Sequence, residues 1–145
     1  MTRLVIGIVV VAAVATLGDY IWYAFGVRHQ MWTGVLHGAL LLTAVGGVLG
    51  AASGRTLAGL PIGTIAGVAG ALVYYGLASI LRSGAMLVAW ATLWVVLGIL
   101  DGRFVRRRER SVRQSALQGL TAALLSGVTF YLVVDIVWGL SLIHI

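Results

Sequence analysis

Five stretches of this chain, at positions 4–25, 34–52, 60–81, 85–100 and 116–138, are apolar almost throughout. A helix rises about 1.5 Å per residue, so roughly 20 residues cross the ~30 Å hydrocarbon core of a bilayer. The fourth run falls short and must stand nearly upright or continue through Asp101. Apolar residues make up 61% of the chain and charged ones 10%, with a mean hydropathy of +1.06. Soluble domains are closer to half apolar and a quarter charged, so a buried core alone does not account for the excess. The fold class expected is an all-α membrane protein, a compact polytopic bundle of five transmembrane helices in one domain spanning 1–139. A sixth helix is lost if the chain is truncated at its C-terminus.

The connections between runs are short. Positions 53–59 join the second to the third, and Arg82-Ser83-Gly84 joins the third to the fourth. Loops this tight make antiparallel neighbours. Pro61 is expected in the first turn of the third helix, where its missing N–H costs nothing. The net charge of +6 comes from arginine, and six of the ten arginines lie between positions 103 and 113. With five alternating spans that segment shares a side with Arg3 and Arg55, which leaves Arg28 and Arg82 opposite. The positive-inside rule makes the arginine-rich side, and the N-terminus with it, cytoplasmic. Clustering beside an apolar run reads as membrane topology, and no nucleic-acid partner is expected. Arg3, the run after it and Ala13-Val14-Ala15 have the order of a signal peptide. Hydrophobicity continues through Ile21-Trp22, which favours an uncleaved span.

Small residues recur at every fourth position. Gly46, Gly50 and Gly54 form one series, and Gly59, Gly63, Gly67 and Ala71 the next. Gly34 and Gly38 extend the first, and Ser115, Gly119, Ala123 and Gly127 make a third. Residues four apart return to nearly the same helix face, so each series is a groove that lets backbones approach closely. In lipid such packing is a main source of helix association. The contact could lie within one chain or between copies of it, which makes a homo-oligomer the alternative.

Ionisable groups inside a bilayer are costly and each needs a reason. On the expected topology Asp19, His37 and Asp135 fall in the outer leaflet, together with Tyr74, Tyr75, Trp90 and Trp94. A polar and aromatic pocket there would take a ligand through Asp19, His37, Tyr74, Tyr75, Trp90 and Asp135. The competing reading is an interfacial aromatic belt of Tyr20, Trp22, Tyr23, Trp32, Tyr131 and Trp138. In that reading Asp19 pairs with Arg28 or Arg82.

Catalytic signatures are lacking. The chain has no cysteine, which excludes thiolate chemistry and disulfides. His29 and His37 stand eight apart with no acidic residue between them, so no metal is expected. Ser79 and Ser126 lack a G-x-S-x-G setting. No G-K-[ST] follows the glycines, so they are not phosphate loops, and no cofactor is expected. The last six residues, Leu-Ser-Leu-Ile-His-Ile at 140–145, are the translation of CTG TCT CTT ATA CAC ATC, a transposon-end adapter. They are expected to be an artefact, and His144 is given no role.

A Trp32-led, glycine-rich second helix and a Tyr-Tyr-containing third resemble uncharacterised small integral membrane proteins of bacteria. Trp32, Gly38, Gly46, Gly50 and a tryptophan-containing helix running into Asp101-Gly102-Arg103 more distantly resemble the Insig family of six-helix lipid-binding membrane proteins. The resemblance implies a bacterial inner (plasma) membrane location and membrane lipid as partner, and no site residue is carried over from it. The expected function is non-enzymatic binding of a lipid or other hydrophobic small molecule. A small-molecule transporter or channel component is the first alternative and a membrane-embedded enzyme using Asp19, His37 and Asp135 the second. An aliphatic inner half argues against an ion path, since nothing there replaces hydration.

Overall fold

The computed structural model describes residues 2–26, 30–105 and 111–143, and among these all regular secondary structure is helical. In order come α1 (Thr2–Ala24), α2 (Met31–Ala52), α3 (Thr56–Leu81), α4 (Gly84–Leu100), a π-helical turn (Asp101–Val105) and α5 (Val112–Ile143). Local chemistry sets the ends. The Gln30 N–H donates to Thr33 Oγ1 (3.1 Å) at the start of α2. At the start of α5 the Ser111 N–H reaches Gln114 Oε1 and the Gln114 N–H reaches Ser111 Oγ, each at 3.2 Å. That reciprocal pair occupies two donors the first turn would otherwise leave open.

The α2–α3 turn depends on Gly54, whose φ of 70° is a left-handed conformation that glycine adopts freely. It allows the Arg55 N–H to return to the Gly50 carbonyl at 2.6 Å. Gly54 therefore belongs to the turn and not to the α2 groove, and a side chain there would meet open space. α3 begins earlier than its apolar run, so Pro61 lies inside the helix rather than in its first turn. Its ring is accommodated at an exposed position, and the carbonyl of Leu57 loses the donor that an i+4 N–H would supply.

α2 and α3 pack as antiparallel neighbours along their glycines. A methyl group placed on Gly46 would stand 2.8 Å from Gly63 Cα, and one on Gly50 would stand 3.1 Å from Gly59 Cα. On Gly63 it would strike the Leu42 carbonyl, and on Gly67 the Gly38 carbonyl. Midway along the seam the hydroxyls of Thr43 and Thr64 meet at 2.6 Å. Each is also within bonding distance of a carbonyl of its own helix, Ala39 and Leu60 respectively.

A second close crossing joins α4 to α5. A methyl on Gly98 would lie 3.0 Å from Gly119 Cα, and one on Gly102 would lie 2.7 Å from Ser115 Oγ. The π turn carries α4 past Asp101 and delivers Val105 (2% exposed) to the cluster formed by Leu42, Ile62, Ala66 and Leu97. Arg55 Nη1 donates to the Phe104 carbonyl at 3.5 Å, tying the α2–α3 turn to the same end of the molecule.

Many large apolar side chains face outward while small residues are buried, unlike the surface of a water-soluble protein. Ala66 and Ala85 are fully buried, whereas Leu17, Leu124 and Leu125 are 59%, 63% and 66% exposed. Among the described residues three helical segments are long and apolar enough to cross a membrane: Met31–Ala52, Thr56–Leu81 and Gly84–Val105. The fourth apolar run thus gains its length from the π turn. In α1 only Val5–Gly18 stands out as a shorter apolar stretch. Of the five expected spans, these three are long and apolar enough among the described residues; α1 packs against α2 and α5 against α4.

Candidate ligand-binding cavity

Antiparallel packing brings the first half of α2, the second half of α3 and the first half of α4 to one end of the molecule. Between them lies a cavity of about 750 Å³ whose lining includes His37, Leu41, Ala71, Tyr74, Tyr75 and Trp90. Gly34, Gly38, Gly67 and Gly70 also line it, so part of its wall is bare backbone. The arginine-bearing π turn lies at the opposite end of α4, beside Arg55.

Two of the lining side chains, Tyr75 and His37, each face a glycine of a neighbouring helix. Tyr75 lies against Gly34, where a methyl group would come within 2.6 Å of Cζ. Its ring meets that of Tyr74 edge to face, with centroids 5.1 Å apart and planes at 81°. His37 faces α1, and a methyl on Gly18 would stand 3.0 Å from its Cε1 and 3.3 Å from its Nδ1. Trp90 reaches the other way, its indole N–H lying 3.3 Å from the Ala123 carbonyl and 3.2 Å from Ser126 Oγ on α5. Ser126 gives its own proton to the Ala122 carbonyl at 2.7 Å, leaving a lone pair for the indole. Trp94 stacks edge to face on Trp90 at 6.2 Å. Its own indole N–H is buried and has no partner among the described residues.

The structure thus brings His37, Tyr74, Tyr75 and Trp90 around one space. Asp19 follows Gly18 on α1, which puts its backbone beside His37, but its side chain and that of Asp135 lie outside the described residues. The same holds for Trp22, Tyr131 and Trp138 of the aromatic belt, and Arg28 and His29 are outside entirely, as are positions 106–110 and 144–145. Tyr23, the most exposed of the described tyrosines at 87%, stands at the cavity margin rather than solely on an outer belt.

Sequence reasoning missed several contributors, Met86, Leu93 and Gly70 among them. Met86 and Leu93 line the cavity from α4, and nothing in an apolar helix distinguishes them without the helix rotation. Gly70, also on the lining, falls outside the spacing of four that marks Gly59, Gly63 and Gly67. A methyl there would stand 2.9 Å from Leu93 Cβ, so it sets the α3–α4 approach instead.

No family model matches this chain, and no curated protein or solved structure matches it either. The functional reading therefore rests on the cavity and its surroundings.

Proposed function

We propose that this chain is a multi-pass protein of a bacterial inner membrane that binds a lipid or other hydrophobic small molecule without transforming it. The observation that carries this reading is the glycine-floored, aromatic-walled cavity of about 750 Å³. That size lies within the ~300–1,000 Å³ range of single-ligand sites, which are typically apolar with a few polar groups. The outward-facing leucines support immersion in lipid, where large apolar side chains face the solvent and small ones face each other.

In this reading α1 and α5 complete five spans and the arginine-rich side faces the cytoplasm, N-terminus included. The cavity then opens in the outer half of the bilayer. Native mass spectrometry on protein released from mild detergent tests the proposal. The wild type is expected to carry one amphiphile per chain, and Ala71→Trp, which fills the cavity, is expected to carry none. Equal retention by the two proteins, or none by the wild type, contradicts it.

A further inference from the structure

The cavity lining contains histidine, tyrosine, tryptophan, aliphatic residues and glycine, but no aspartate, glutamate, arginine or lysine among the described residues. An ionised headgroup placed there would leave water without gaining a counter-charge from the described lining, which is unfavourable in an apolar setting. Hydrogen-bonding capacity is nevertheless present. The hydroxyls of Tyr74 and Tyr75 have no hydrogen-bond partner among the described residues, and both side chains are only part-buried at the lining. Trp90 offers its ring but not its N–H, which is engaged by α5.

From these features we infer that the cavity selects an uncharged amphiphile, one whose polar end exchanges hydrogen bonds with Tyr74 and Tyr75 while its apolar body lies along the glycine-floored wall. Anionic phospholipids, fatty acids and cationic amphiphiles find no carboxylate, guanidinium or ammonium partner in the described lining. The inference rests on the cavity being a ligand site, and it adds the chemical class of the ligand.

Three probes that share an oleyl chain and differ in head charge isolate the point: monooleoylglycerol, oleate and oleylamine. Each is titrated into the full chain in zwitterionic nanodiscs at about pH 9, above the carboxyl pKa that the bilayer raises and below that of the ammonium. Monooleoylglycerol is expected to bind at least about tenfold more tightly than either charged probe, a margin of about 1.4 kcal/mol. Tyr74→Phe combined with Tyr75→Phe keeps both rings, and is expected to weaken monooleoylglycerol by about 2- to 10-fold with thermal stability unchanged. Equal or tighter binding of oleate or oleylamine overturns the charge selectivity while leaving the cavity a ligand site. Unaltered binding by the double variant overturns the role of the two hydroxyls. Failure of all three probes in wild type overturns the ligand site itself and this inference with it.

Discussion

Trp90 and Trp94 are four residues apart on one helix, and in the sequence they are interchangeable. The structure separates them by what faces each N–H: the Ala123 carbonyl and Ser126 Oγ for Trp90, and no described partner for Trp94. A lost neutral hydrogen bond costs about 1 kcal/mol, whereas removing a donor that has no partner carries no such loss. Trp90→Phe is therefore expected to destabilise by about 1 kcal/mol more than Trp94→Phe in mixed-micelle denaturation. Equal losses would mean the α5 contact contributes nothing. Arg82 poses a second residue-scale question, because its φ of 49° and ψ of −123° suit glycine and strain any side chain. Arg82→Gly is expected to raise stability by about 1 kcal/mol in the same assay. A loss would show that the arginine side chain stabilises the turn by more than its backbone strains it. Neither effect was legible beforehand, since partners distant in sequence and the sign of a single φ leave no trace in apolar periodicity.

At the scale of helices, recurrence every fourth position marks faces, because four residues nearly complete a turn. Gly46, Gly50, Gly59, Gly63 and Gly67 stand out this way, and they are where the α2 and α3 backbones meet. The same arithmetic misplaced Gly54, since spacing carries no information about where a helix stops. It also passed over Gly98 and Gly102, whose spacing continues across the end of an apolar run into the π turn. Extra length from a π turn, and a proline inside rather than at the start of α3, follow from tertiary packing and not from composition. The seam makes a direct prediction. Gly63→Ala would drive a methyl onto the Leu42 carbonyl and is expected to cost about 1–3 kcal/mol. Gly76→Ala on the same helix meets open space and is expected to be neutral or stabilising by up to about 1 kcal/mol. Similar responses at both positions, read as unfolding in mixed micelles, would mean the seam does not hold the helices together.

For the whole molecule, the helical class and apolar character were legible because they depend on composition over long windows. The cavity was legible only in part, through His37, Tyr74, Tyr75 and Trp90, because a chemically unusual residue in an apolar run is visible without its neighbours. Its glycine floor and its Met86 and Leu93 wall require the helix rotations. Topology is tested by reporter fusions at Ser83 and Arg107, which are expected to report opposite sides of the membrane; the same side for both would break the alternation of spans. The central claim is that a ligand sits between α2, α3 and α4 rather than on the leucine-rich outer faces of α1 and α5. Photolabelling with a diazirine-bearing monoacylglycerol, followed by peptide mapping, tests it most directly. The account predicts label on Leu41, Ala71, Met86 and Leu93 that excess unlabelled monooleoylglycerol displaces. Undisplaced label spread over Leu17, Leu124 and Leu132 would contradict it.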